Sequence, residues 1–237
     1  LMKKMPDLTN IPFKIDTRML IRTLSLQSKY KDDEEAKAYI IKTLHSIKEV
    51  LVQEDDYGNI YATKGKADLY PCVIGHYDTV HERIEDKTIK QEDDILYAFS
   101  KTKKHQVGIG GDDLNGVYIA LQAMKDFDII KTVFMRNEEV GCLGAKACIL
   151  TFFDDCKYVL ECDRMENEDF SYQIGGIALS SEDFLTDCDP FLEKYNYKKA
   201  ITFTTDVYTL KLRGLTTSCA NIACGYYNPH SDIETVS

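Results

Sequence analysis

Carboxylates and imidazoles recur in this chain wherever an apolar segment stops. His76 and Asp78 follow "CVIG", Glu138 and Glu139 follow "KTVFMRN", Asp163 closes "KYVLEC", and His230 follows the last apolar stretch in "GYYNPH". Between them, "GIGGDDLNGVYIAL" sets Asp112 and Asp113 side by side behind glycines and then runs into an apolar helix. Adjacent carboxylates repel and lower helix propensity, so this pair needs a capping role, a cation, or both. Taken singly, each feature has an ordinary reading. Two Asp at a helix start serve as N-cap and dipole partner. A Glu-Glu pair is a solvated loop, a lone His after a strand is packed or hydrogen-bonded, and Asp163 is a cap or turn.

Taken together they say more. Four apolar segments deliver a carboxylate or imidazole to the same kind of place. Burying that much negative charge at one edge costs several kcal/mol per ion unless a cation neutralises it. Two His with three or four carboxylates suit divalent zinc, cobalt or manganese. They are too many donors for one tetrahedral zinc, and they lack the carbonyl and water oxygens of a calcium cage. Two ions about 3.5–4 Å apart, bridged by one carboxylate, satisfy the count.

The elements that must position these residues alternate along the chain. Helical patterns cover about 17–29 and 33–51, with apolar residues every three or four positions. "GNIYATKG" and "PCVIGHYD" read as strands, the second apolar almost throughout and so buried on both faces. "KTIKQEDDILYAFS" reads as a polar hairpin turning near Glu92–Asp94. "NGVYIALQAMKDF" is a helix, "KTVFMRN" a buried strand, "GAKACILTFF" a helix and "KYVLECD" another buried strand. "SYQIGGIALS", a helix near 181–195, "AITFTTD" and a final strand "TSCANIACGY" complete the order. The predicted class is α/β: a single domain over 1–237 with a mixed, mainly parallel β-sheet and helices on both faces. Ligands of such sheets gather at the carboxyl edge of the strands.

Composition agrees. The 237 residues suit one domain with a real core. A net charge of −10 argues against nucleic acid or an anionic membrane as partner, since both need basic patches. No run of 18 apolar residues is present, so no membrane span is expected. The first twenty residues hold charge without the apolar core of a secretory signal. The eight cysteines form no C-x-x-C pair, and several lie in apolar patterns. They read as free thiols of a cytoplasmic protein, not as disulfides or a structural zinc site.

"GHYDTV", "GGDDLNG", "NEEVGCLGA", "ECD", "TTDVYTL" and "NIACGYYNPHSDIE" fall in the order and approximate spacing of the co-catalytic di-zinc exopeptidases. The chain resembles the peptidase T-like members of that superfamily, and bacterial di-zinc aminopeptidases more distantly. "DDYGNIYATKG" is similar to the strand before the first ligand in that group, so the resemblance runs from about residue 17 to the end. It implies a metallopeptidase that hydrolyses a peptide or other small amide substrate, as an aminopeptidase or small-peptide exopeptidase. It implies that His76 is the first metal ligand, oriented by Asp78, and that Asp112 bridges two ions and precedes a cis peptide. His76 and Asp163 then complete one ion's set, Glu139 and His230 the other. Glu138 is the general base, taking the proton of the water held between the ions and passing it to the leaving amine. Asp206 in "TTDVYTL" matches a position near the site with no defined role. Tyr226 and Tyr227 read as pocket lining, with an oxyanion-directed hydroxyl as the alternative.

Two departures carry expectations. Peptidase T relatives hold a lid and dimerisation domain between the third carboxylate and the late motifs. Here residues 164–205 leave room for one hairpin or strand and one helix, so no lid is expected. The family continues into a further helix after the last ligand, whereas seven residues follow His230, so a trimmed C-terminus is expected. Other readings are an amidohydrolase acting on N-acyl amino acids or cell-wall peptides, or an inactive binding domain of the same fold. The presence of Glu138 beside a full ligand set argues against the inactive domain.

Overall fold

The computed structural model describes residues 14–237. Residues 1–13, part of the stretch read above for a signal, lie outside the described residues. The first helix, α1 (Thr17–Leu24), begins where the Asp16 side chain accepts the Met19 N–H at 3.0 Å, an N-cap. In α2 (Glu34–His45), Ala36, Ile40 and Leu44 stand four residues apart on one fully buried stripe. This helix ends at His45, not near 51. The chain turns through Ser46–Glu49, with Glu49 at φ 60°, and enters β1 (Val50–Glu54). There Val50 and Val52 face the core while Leu51 is exposed, so the apolar rhythm of the helix continues past its end with a period of two.

The remaining elements are β2 (Ile60–Lys64), β3 (Tyr70–His76), β4 (Lys87–Glu92), β5 (Ile95–Ser100), β6 (His105–Val107), α3 (Gly111–Asp126), β7 (Ile130–Met135) and α4 (Leu143–Ala147). They continue with β8 (Cys156–Arg164), β9 (Asp169–Ile174), β10 (Ile177–Ala178), α5 (Glu182–Lys194), β11 (Lys198–Thr202), α6 (Asp206–Leu212), β12 (Cys219–Ala223), β13 (Tyr226–Tyr227) and β14 (Thr235–Val236). Three stretches divide where unbroken elements were expected. "GAKACILTFF" breaks at Cys148, which is extended at ψ 144°, and resumes as a 3-10 turn at Leu150–Phe153. "AITFTTD" stops as a strand at Thr202, and Asp206 opens α6. "TSCANIACGY" splits at Gly225, whose φ of 90° no strand residue adopts.

The large sheet runs β1-β2-β7-β3-β8-β12-β9-β10, with β11 on the free side of β9. Its centre, β7-β3-β8-β12, is parallel, and antiparallel pairs lie toward the margins. One face is covered by α1, α2 and α3, whose Leu24, Ile40, Leu114 and Leu121 are fully buried. The other is covered by α4 and α6 through Ala145, Val207 and Leu210. Each fully buried Leu, Ile, Val or Phe contributes about 1.5–3 kcal/mol, so the central strands are clamped from both sides. This is the α/β arrangement that the alternation predicted. The hairpin β4–β5 turns at Asp93–Asp94 as expected and joins β6, β13 and β14 in a second, smaller sheet. Through β14 on β5, that sheet carries the chain beyond His230 back toward α3.

Candidate metal centre

Four adjacent parallel strands end at one edge, and the chemistry-bearing residues stand there. His76 is the last residue of β3, Asp163 lies near the end of β8, and Glu138 and Glu139 occupy the turn after β7. His230 follows β12 and β13 in chain order, and α3 brings in Asp112 at its N-terminus. The peptide between Asp112 and Asp113 is cis, as the resemblance implied.

The side chains form two sets that share Asp112. His76 Nε2 lies 3.3 Å from Asp112 Oδ1 and 3.5 Å from Asp163 Oδ1. His230 Nε2 lies 3.1 Å from Asp112 Oδ2 and 3.1 Å from Glu139 Oε1. Each oxygen of Asp112 thus faces a different imidazole. Burial pushes the Asp163 carboxyl up to about 7 and the Glu139 carboxyl up to about 8, against the pull of His76 in each case. Burial also works against ionisation of Asp112, yet the adjacent His230 and His76 imidazoles hold it below the usual carboxylate range. The bond to Asp112 raises His230 to about 9.

The donor set fits divalent ions. His76 Nε2 is buried without a well-formed hydrogen bond although two carboxylates face it. Spacings of 3.1–3.5 Å between donors match the edge of a tetrahedron whose arms are about 2.0–2.1 Å, roughly 3.3 Å. Ligand atoms of His76, Asp112 and Glu139 lie within 4.8 Å of one another, and so do those of His76, Asp113 and Asp163. In the second group Asp113 is already committed. Its Oδ2 accepts the His76 N–H at 3.0 Å and its Oδ1 the Gly116 N–H at 2.9 Å. The first group draws on both of the sets that share Asp112.

No protein-family profile matches this sequence, and no curated protein matches it. Solved structures do match in fold. Aminopeptidase PepT from Bacillus cereus superposes with a TM-score of 0.70 at 12% identity, over 93% of this chain and 92% of that one. A tripeptidase from Staphylococcus aureus gives 0.69 at 11%, over 93% and 92%. An aminopeptidase from the archaeon Desulfurococcus kamchatkensis gives 0.65 at 17%, over 92% and 89%. The fold is that of these peptidases.

Behind these ligand atoms stands a further layer of polar residues, of which Thr205, Asn221 and Glu161 carry no mark in the sequence. Asp78 was expected to orient His76 through its carboxylate, and His76 Nδ1 does lie 3.4 Å from Asp78 Oδ1. The shorter contact, 3.0 Å, is to the Asp78 carbonyl oxygen. Asp163 is oriented by Thr205 Oγ1 at 3.2 Å, by Tyr226 OH at 3.3 Å and, at its backbone, by Asn221. Tyr226 therefore faces Asp163, neither lining alone nor free. Glu161 and Asp206 are fully buried behind the site. Glu161 accepts the Asp206 and Val207 N–H groups at 3.1 and 3.4 Å, while both Asp206 side-chain oxygens lack partners among the described residues. Burial, then the nearby Glu138, pushes the Asp206 carboxyl well up. Glu161 sits inside an apolar strand word, and nothing local in "YVLECD" marks it. A separate apolar cavity of about 320 Å³ under α5, lined by Tyr158, Phe170, Phe184 and Ile222, includes none of these residues.

All eight cysteines are free thiols and six are buried, where they pack the core. Among the described residues, no helix is long and apolar enough to cross a membrane.

Proposed function

We propose that this chain is a metal-dependent peptide hydrolase, an aminopeptidase or small-peptide exopeptidase of a single lidless domain, working in the cytoplasm. The observation that carries the reading is the sharing of Asp112 by two imidazole–carboxylate sets. His76, Asp112 and Asp163 would hold one divalent ion, and Asp112, Glu139 and His230 a second, zinc before cobalt or manganese given the nitrogen and carboxylate donors. When bound, the ions would acidify the attacking water and polarise the scissile carbonyl. The fold match to two aminopeptidases and a tripeptidase supports a peptide as substrate.

The chain's own residues supply the proton handling. Glu138 belongs to neither set; its carboxylate accepts from the Cys142 thiol at 3.4 Å. Its backbone is fixed by Asp78. A carboxylate so placed takes the proton of the attacking water and returns it to the leaving amine. Its neighbour Glu139 points differently because successive side chains diverge at a strand end. The test is a substrate screen with added zinc, cobalt or manganese. Aminoacyl-anilides should be cleaved, whereas N-acetylated amino acids and muropeptides should not. Turnover confined to the N-acylated substrates would replace the peptidase by an amidohydrolase, and no turnover of any substrate with any metal would leave a binding domain.

A further inference from the structure

Asp112 differs from the other carboxylates of the centre in how it is held. Asp163 is oriented by two hydroxyls. Among the described residues, the groups that meet the Asp112 carboxylate are the two imidazoles alone. What aims it is therefore its backbone, and that backbone is gripped from beneath. Glu234, fully buried, lies four residues after His230. Its Oε1 accepts the Asp112 N–H at 2.9 Å, and its Oε2 accepts the Gly110 N–H at 2.8 Å. His81 Nε2 completes the set at 2.7 Å from Oε2. Two backbone donors at a helix N-terminus and one imidazole give both oxygens of this buried carboxylate a partner.

The glycines of "GIGGDD" are what let this clamp close. A Cβ on Gly108 would stand 2.1 Å from His81 Nδ1, so the ring lies against bare backbone. A Cβ on Gly111 would stand 2.7 Å from Val236 Cγ2 and 2.8 Å from Tyr226 Cβ. These are the strands that flank His230 and Glu234, and they press onto the loop where it has no side chain.

We propose that Glu234 is the positioning residue for Asp112: by holding the Gly110 and Asp112 amides, with His81 as its third donor, it sets where the shared carboxylate meets both imidazoles. This rests on the reading of Asp112 as a shared metal ligand. Groups that orient a ligand from behind typically contribute 10–100-fold to metal affinity. The clamp also links the two ends of the site in sequence, since Glu234 ties the loop of Asp112 to the segment that carries His230.

The test uses the full chain, stripped by chelator and titrated calorimetrically with zinc chloride, with thermal unfolding of the metal-free protein measured beside it. Glu234→Gln loses one acceptor and sets an NH2 against a backbone N–H; it should raise the zinc dissociation constant roughly 10–100-fold. His81→Phe keeps a ring over Gly108 but removes the third donor, and it should raise the constant in the same direction by less. A merely structural Glu234 would lower the melting midpoint and leave the zinc constant alone. Zinc constants within twofold of wild type in the folded variants would overturn the proposal, and if Glu234→Gln does not fold, His81→Phe decides. A wild-type chain that binds no zinc would overturn instead the reading of Asp112, and this proposal with it.

Discussion

Asp78 holds the backbone of Glu138: its Oδ1 accepts the Glu138 N–H at 2.9 Å, while its Oδ2 takes the Glu139 N–H at 3.2 Å. The same residue meets His76 Nδ1 through its carbonyl oxygen. One fully buried aspartate thus fixes the proposed base, a proposed ligand beside it and the imidazole of the other set. Asp78→Asn turns one acceptor into a donor facing a backbone N–H. It should cost about 1–3 kcal/mol of stability and lower kcat roughly 10–100-fold. Urea unfolding beside steady-state kinetics checks both, and wild-type kcat in the folded variant would remove Asp78 from the machinery.

Glu138 and Glu139 should fail differently. Glu138→Gln keeps size but cannot accept a proton, so zinc content should stay near normal while kcat falls roughly 10²–10⁴-fold. Glu139→Gln removes an anionic donor, so it should weaken one metal site and recover in part with excess metal. A zinc titration and a pH–rate profile for each variant separate the two roles. Swapped behaviour would exchange the assignments.

Arg136 anchors the end of β7 just before the two glutamates. Its Nε and Nη2 bond to the Asp33 carboxylate at 2.6 and 2.8 Å, and its Nη1 donates to the Tyr57 carbonyl at 3.2 Å. Asp33 is 1% exposed, so Arg136→Ala would leave its charge buried and unpaired. A loss of about 3–5 kcal/mol is expected by chemical denaturation. The double change Arg136→Met with Asp33→Leu should recover most of it, because two apolar groups leave no stranded charge.

Much of the site was legible because it is local. Each of His76, Glu138, Glu139 and Asp163 stands where an apolar strand word stops, and such places converge on one edge of a parallel sheet. What the sequence could not show is long-range backbone capture. Asp113 gives one oxygen to the N–H of His76, Glu161 its oxygens to those of Asp206 and Val207, and Glu234 to those of Gly110 and Asp112; only the second Asp113 oxygen, on the Gly116 N–H, is the local cap that the Asp pair announced. An acceptor for main-chain groups far along the chain leaves no pattern of residue types. The fold was legible in class and less so in its boundaries. Val50 and Val52 continue an apolar rhythm across a turn, and β6, three residues long, is too short to show a period.

The most direct test is metal stoichiometry in wild type and Asp112→Ala. Protein reconstituted with zinc and dialysed free of loose metal should carry close to two zinc ions per chain by elemental analysis, because two sets of donors share one carboxylate. Asp112→Ala should lose tight zinc from both sets together. Two zinc ions retained as tightly in Asp112→Ala as in wild type would contradict the sharing, and no bound zinc in the wild type would contradict the metal centre itself.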